Sequence, residues 1–325
     1  QVREARAAGL PQFDVAVNYN RNWLLPTFVF AGNSVKIGSE NNITSTLSLR
    51  QMLYSGGRIG ASTAAARDQA AAAAEGLRLT RQQVVAQVEV SYCDLLVAGE
   101  LAEVATMALE RARANWTQVQ ARRKAGRVSA FDELSAEVQV SSLRADSIRA
   151  HNDCSLAELT FKDAVGIDLD RKIEIIGTFR EDSPLDLADL NQLIEIALSE
   201  RPELAQVEFL LHMQKRTVIA ERAASRPTLE LIASGQSQFQ SNQLDVADQQ
   251  WRKSWGTGLL LQVPIFDGMR TRARVAQARA AVERVNYERA LFKRQIRLEV
   301  ERAWLSWREV GARMGSQEDA VRQAQ

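Results

Sequence analysis

The chain has 325 residues, 46% of them hydrophobic and 25% charged, a balance that fits a folded protein and excludes wholesale disorder. Its 41 basic and 40 acidic side chains leave a net charge of +1, so no broad basic field points to nucleic acid as a partner. No run reaches the roughly 18 uncharged apolar residues of a membrane helix, and any membrane-crossing part must therefore be made of strands.

The first residues, Gln1-Val-Arg-Glu-Ala-Arg6, read as the middle of a helix and not as a leader, so the chain is expected to be a piece of a longer precursor. From Phe13 the pattern changes to period two. Phe13, Val15, Val17 and Tyr19 alternate with Asp14, Ala16, Asn18 and Asn20. After a loop rich in Asn, Gly and Ser, Leu47, Leu49 and Leu53 alternate with Ser48 and Arg50. Apolar residues on one face and polar ones on the other, over about ten residues, is the pattern of a membrane β-barrel strand. Trp23, Phe28 and Phe30 lie toward the loop and Tyr54 at the opposite end, as two interfacial girdles would. A soluble sandwich edge would give the same alternation in one hairpin taken alone.

No proline interrupts the chain between Pro26 and Pro184, and the interval is rich in Ala, Leu, Gln, Glu and Arg. One helix is expected from Arg58 to Lys124, about 67 residues and about 100 Å long. Val88, Leu95, Ala102, Leu109 and Trp116 form one row of a heptad seam, with Val84, Ser91, Ala98, Ala105, Ala112 and Val119 in the other. A strict seven-residue period implies left-handed supercoiling. Gly126 stops this helix, and Ser129 with Asp132 opens a returning one as a capping box. The returning seam is Ala136, Val140, Leu143, Ser147, Ala150, Cys154, Ala157, Phe161 and Ala164. Cys154 is thus a packing residue. Cys93 shares no CxxC spacing with it, and His151 and His212 are isolated, so no metal site is assigned.

Gly166 ends the returning helix. Lys172–Ile176 reads as a short strand, Leu185–Ser199 as a short helix, and Pro202 opens another helix running to Ser225. A second pair of strands follows: Leu229, Leu231 and Ala233 alternate with Glu230 and Ser234, and Leu259, Leu261, Val263 and Ile265 come after the loop. Trp251 and Trp255 stand at the loop end and Phe266 at the other. The last helix carries its own seam, Ile296, Val300, Ala303, Trp307, Val310, Met314 and Val321.

These elements occur twice. Leu47–Arg58 aligns with Leu259–Arg270 at an offset of 212 (259 − 47), so that Gly56 meets Gly268, Arg58 meets Arg270 and Val88-Glu89 meets Val300-Glu301. Upstream, Ala7-Ala8-Gly-Leu-Pro11 matches Ala223-Ala224-Ser-Arg-Pro227 at an offset of 216 (223 − 7). The ungapped register over about 75 residues marks a tandem repeat. Four strands per chain cannot close a barrel, and open edges are not tolerated in hydrocarbon, so several copies must assemble; three would supply about 12 strands.

Tyr54-Ser-Gly56-Gly57-Arg58 and Pro264-Ile-Phe266-Asp267-Gly268-Met-Arg270 resemble the strand-to-helix junctions of TolC-type outer-membrane efflux factors. Ala197–Leu204 resembles that family's repeat-opening helix, and Ala125–Leu134 its periplasmic hairpin tip. The likeness covers essentially the whole chain. It implies a mainly α fold with membrane β-strands: long coiled-coil helices of an α-barrel, and two β-hairpins giving four strands to a trimeric 12-stranded β-barrel. The segments would be the end of an upper helix (1–10), hairpin 1 in the outer membrane (11–54), and a long helical hairpin (55–165) with its tip near 125–129. An equatorial mixed segment (166–200), an upper helix (201–226), hairpin 2 (227–266) and a truncated long helix (267–325) would follow. Relative to the family pattern, the first copy lacks its opening helices, the second stops before its tip, and Met269 stands for the junction's second glycine.

The resemblance further implies a homotrimeric channel-tunnel in the Gram-negative outer membrane with its helical barrel in the periplasm. It would export small molecules or proteins while docked to a periplasmic membrane-fusion adaptor and an inner-membrane pump or secretion ATPase, with outer-membrane lipid around it. Arg123, Lys124, Ala125, Gly126, Arg127, Val128 and Ser129 would meet the adaptor; the same residues also make an ordinary helix stop and cap. Trp23, Trp251 and Trp255 would lie at the membrane interface. Tyr54 and Phe266 would either anchor there or pack in the barrel-to-helix junction. The alternative is a periplasmic coiled-coil adaptor or another soluble helical binding protein. The sequence has no glycine-rich phosphate loop followed by Lys, no GxSxG and no HExxH, so no catalytic residue or cofactor is expected.

Overall fold

The computed structural model describes residues 2–30, 33–177, 189–242 and 251–324. They fall into two compact units, Gln1–Gly76 with Asp189–Gln325 and Leu77–Ala188.

The first unit begins with α1 (Val2–Ala7) and contains the sheet strands β1 (Gln12–Arg21), β4 (Asn41–Tyr54), β5 (Thr228–Ser241) and β6 (Arg252–Gln262). A separate ribbon of β2 (Thr27–Phe30) and β3 (Asn33–Lys36) fills part of the first loop, a detail the alternation did not signal. The main sheet is antiparallel with order β1-β4-β5-β6. Its central pair joins the two copies of the repeat, β4 to β5, with a register shift between Met52 and Tyr54. Among the described residues β1 and β6 each pair on one side only.

The alternation expected to run through Val263 and Ile265 stops at Gln262. Pro264 has no N–H for the ladder and biases the residue before it, so the strand ends there.

Beside the sheet, α2 (Arg58–Lys124) starts in this unit. The chain returns to the unit through α4 (Leu190–Glu200) and α5 (Pro202–Arg222), then a single 3-10 turn (Ala223–Ser225), and ends in α6 (Arg270–Ala324). The expected helix start at Leu185 lies outside the described residues; within them, Asp189 caps α4 by accepting the Asn191 N–H. Leu204, Val207 and Leu211 of α5 are buried with Ala278, Val285 and Ile296 of α6 and Ile194 of α4. At the rim of this core Arg289 pairs with Glu208 at 2.6 Å and Arg201 with Glu299 at 3.1 Å.

The lower seam of α6 departs from expectation. Ile296 is buried, but Trp307, Val310 and Met314 are exposed in the single chain.

The second unit holds the rest of α2 and α3 (Ala130–Val165). Here the heptad reading holds along α3 and along α2 except at Val84, which is exposed. Ser91, Leu95, Ala102 and Leu109 of α2 are buried, as are Ala136, Ser147 and Lys162 of α3, and the other returning-seam positions are half-buried. The rings of Tyr92 and Phe161 meet across it, 5.8 Å apart. Lys162 keeps its charge paired to Glu158 at 2.7 Å and donates to the Leu169 carbonyl at 3.0 Å, which removes the cost of burying it. Gly166 then ends α3 in the left-handed conformation, φ 77°. The short strand expected at Lys172–Ile176 does not form. No described strand lies beside it to exchange ladder bonds, and a lone extended segment has nothing to hold it.

Candidate functional site

The pairing register sorts the sheet's side chains into two faces. Phe13, Val15, Val17 and Tyr19 of β1 stand opposite Leu49, Leu47, Ser45 and Ile43 of β4. The same face continues through Ala233, Leu231 and Leu229 of β5 to Leu259 and Leu261 of β6. The other face carries Asp14, Asn18 and Asn20, then Arg50, Ser48 and Thr46, and on β5 Glu230, Ser234, Gln236 and Gln238. The apolar face is open: Phe13, Val15, Val17, Leu259 and Leu261 are all exposed in the single chain. A water-facing apolar surface of this extent marks a surface that something else covers.

Aromatics stand at the loop end of this sheet. Trp23 and Trp255 are 83% and 85% exposed, and the Arg21 guanidinium lies 4.4 Å over the Trp23 ring. Trp251 differs: it is 38% exposed and packs on Phe239, ring centroids 5.5 Å apart. Phe239 is fully buried and was missed in the sequence, where it stands among Gln and Ser with no apolar neighbour to mark it. The Tyr19 hydroxyl donates to Asn41 Oδ1 at 2.9 Å on the same face.

The opposite end of the sheet passes into the helices. Gly56 and Gly57 turn the chain into α2 with φ of 63° and 93°, and Gly268 and Met269 do so before α6 with φ of 66° and 67°. Gly56 is needed for space as well as for its dihedral. A Cβ there would sit 2.6 Å from Arg226 Cβ, and the Arg226 guanidinium donates to the Gly56 carbonyl at 2.9 Å. Asp267 Oδ2 accepts the Thr271 N–H at 2.9 Å and also its hydroxyl. These two bonds, the hydroxyl first, hold the Asp267 carboxyl below its ordinary value, with Arg270 adding to the effect. Arg58 and Arg270, equivalent in the repeat, line one cavity here. Tyr54 and Phe266 are both more than half exposed, so neither packs in a junction core of this chain.

At the far end of α2 the sequence Arg122-Arg123-Lys124 ends the helix with cations, which suit the negative end of its dipole. Gly126, φ 70°, allows its own N–H to reach the Arg123 carbonyl at 2.9 Å and the Arg127 N–H to reach that of Arg122, also at 2.9 Å. Three residues later Ser129 caps α3. Its Oγ accepts the Asp132 N–H at 3.2 Å, and Asp132 Oδ2 accepts the Ser129 N–H at 2.9 Å and hydroxyl at 2.7 Å. Those bonds, the hydroxyl first, pull the Asp132 carboxyl below its ordinary value. An ion pair between Arg123 and Glu133, 2.8 Å, ties the two helices at the turn. Beside the turn, Phe131, Leu134 and Val138 form an exposed apolar ridge. Their three- and four-residue spacing is the signal the sequence carries for this ridge, which lies off the packing seam.

Among the described residues no helix is long and apolar enough to cross a membrane, and no group of His, Cys, Asp and Glu could hold a metal ion.

The sequence pattern of the outer membrane efflux protein family matches residues 1–166 and 193–325. The chain belongs to the outer membrane efflux protein family. As an outer membrane efflux protein it is a protein of the Gram-negative outer membrane. It is 27% identical over 291 residues to the alkaline protease secretion protein AprF of Pseudomonas aeruginosa, covering 87% of this chain and 59% of AprF. It is 25% identical over 284 residues to the outer membrane efflux protein BepC of Brucella suis, covering 86% and 59% respectively. The chain thus spans under two thirds of the length of these relatives. Its fold is that of the outer membrane protein VceC from Vibrio cholerae, with a TM-score of 0.81 at 19% identity over 99% of this chain and 76% of VceC. CusC is similar in fold, with a TM-score of 0.80 at 19% identity over 98% of this chain and 71% of CusC.

Proposed function

We propose that three copies of this outer membrane efflux protein close into one conduit that carries small molecules or proteins out of the cell, without catalysis of its own. The observation that carries this reading is the four-stranded sheet, apolar on one exposed face, polar on the other, and open at both edges. In hydrocarbon every unpaired backbone group costs several kcal/mol, so the free edges of β1 and β6 must be satisfied by other copies. Pairing β6 of one copy with β1 of the next repeats around a closed ring, and three copies give about 12 strands. The apolar face then meets lipid, Trp23 and Trp255 lie at its outer border, and the polar face lines the lumen.

The helices continue the wall. The 55 residues of α6 span about 80 Å, and its exposed Trp307, Val310 and Met314 would be covered by helices of neighbouring copies. The turn from Arg123 to Ser129, with the Phe131 ridge beside it, would receive a periplasmic adaptor that links the conduit to an inner-membrane pump or secretion ATPase. A soluble coiled-coil adaptor has no use for a sheet with an open apolar face.

The edge pairing is tested by cross-linking. In a background with Cys93 and Cys154 replaced by Ser, Ala16→Cys on β1 is combined in turn with Gly256→Cys and Gly258→Cys on β6, all on the polar face. Dimer and trimer bands that need both cysteines support the closure. Cross-links confined to single chains would contradict it.

A further inference from the structure

Where the sheet meets the helices, a cavity of about 410 Å³ is lined by Arg58, Arg226, Arg270 and Arg274 together with Asp267 and Glu230. Four guanidiniums against two carboxylates leave a formal charge of +2. Among the described residues none of the four makes an ion pair with a carboxylate, although Arg270 acts on Asp267 at longer range and helps hold that carboxyl low. Arg226 gives one N–H to the Gly56 carbonyl, and Asp267 spends Oδ2 on capping Thr271. The strands contribute Met52, Thr228, Glu230 and Gln262 to the same cavity, all on the sheet's polar face. The first turns of α2 and α6 begin here as well, with Arg58 and Arg270 as their first residues, so both helices direct the positive end of their dipoles to this place.

We propose that this cavity is a binding site for a multiply charged oxyanion, a phosphate- or carboxylate-bearing group on a solute in the lumen. Guanidinium forks fit the planar and tetrahedral oxygens of such groups, and several converging on one cavity favour a polyanion over a single halide ion. The polar-face lining makes the ligand a solute in the duct and not a lipid headgroup, a choice that rests on the lumen assignment proposed above. The repeat explains how the site arises: Arg58 and Arg270 hold equivalent places in the two copies, and because β4 and β6 both flank β5 the residues that follow them line one cavity. Arg274 and Arg226 have Ser62 and Leu10 as their counterparts, so the positive cluster belongs to one junction of the chain and not to both.

The test uses the full-length trimer in a planar bilayer, with tripolyphosphate titrated into the bath and spermine as the probe of opposite charge. Tripolyphosphate is expected to lower the conductance at concentrations where spermine does not. The block midpoint should rise about tenfold or more in Arg58→Gln/Arg274→Gln, which removes two charge-assisted contacts, and return toward the original value in Arg58→Lys/Arg274→Lys. Equal midpoints in the original protein and the Gln variant would overturn the site, as would a conducting trimer that tripolyphosphate does not block. A trimer that does not conduct would contradict the duct reading instead. Calorimetric titration of tripolyphosphate into the same detergent-solubilised variants then decides the site, with equal heats from original and Gln variant overturning it.

Discussion

Ser55 and Asp267 hold the same place in the two copies of the repeat, and each caps the long helix that follows it. Ser55 Oγ accepts the Ile59 N–H at 3.2 Å, and Asp267 Oδ2 accepts the Thr271 N–H at 2.9 Å. The two caps differ in charge and therefore in their response to acid. Bonds from the Thr271 hydroxyl and N–H hold the Asp267 carboxyl below its ordinary value of 3.8. A carboxylate with a depressed folded pKa stabilises the fold above its unfolded pKa and loses that contribution as pH falls through the folded value.

The Asp267 contribution is thus complete near neutrality and disappears only below pH 3.8. Asp267→Ser, which copies the first junction, should leave stability at neutral pH close to the original and flatten its fall in acid. Thermal unfolding followed by circular dichroism between about pH 5 and pH 3 checks this; an unchanged acid slope would contradict it. Ser55→Ala should lower stability by about 1 kcal/mol with no pH dependence.

Met269 is the only non-glycine at positive φ among the described residues, at the place where the first junction has Gly57. A side chain in the left-handed region costs about 1–2 kcal/mol. Met269→Gly should therefore raise the midpoint of denaturant unfolding, by about 1 kcal/mol once the added backbone freedom is subtracted. Gly56→Ala should do the reverse, because the new methyl meets Arg226 Cβ at 2.6 Å in addition to the unfavourable φ. Equal midpoints for the two variants would show that these turns are not strained as described.

Much of the helical part was readable from spacing alone. A heptad seam is a local pattern, and Ala136 through Ala164 were placed on the buried face of α3 because periodicity survives without knowledge of the partner. Alternation likewise marked the apolar face from Phe13 to Tyr19. Pairing did not follow from it. β4 meets β5 across the whole intervening helical region, with Leu49 opposite Ala233, and no local rule encodes a contact at that separation. The alternation at Val263 and Ile265 runs past the end of β6 at Gln262, where the missing N–H of Pro264 overrides it. At the junction, repeat alignment identified Arg58 and Arg270 as equivalents, but only the sheet order brings them to one cavity.

The tip turn combines a glycine stop, a capping box and the Arg123–Glu133 pair. Both members of that pair are partly exposed, so Arg123→Gln should change global stability by less than about 1 kcal/mol. It should instead speed amide exchange across 125–129, where the pair restrains the turn. Gly126→Val forces a β-branched residue to φ 70° and should lower export while trimer yield stays the same. Normal export in Gly126→Val would remove the tip from the proposed docking role.

The two faces of β1 should respond oppositely to charge. Val15→Lys places an ammonium on the apolar face, at a cost of about 2–4 kcal/mol per copy near the bilayer centre, and should abolish recovery of trimer from membranes. Ala16→Lys, one residue along and on the polar face, should assemble. Loss of trimer in both, or in neither, would contradict the assignment of faces.

The central claim is that copies of this chain enclose a water-filled passage through a bilayer. Purified full-length trimer added to a planar bilayer should give discrete, uniform conductance steps, absent with Val15→Lys and present with Ala16→Lys. A detergent-free, water-soluble monomer that leaves the bilayer electrically silent would contradict the account.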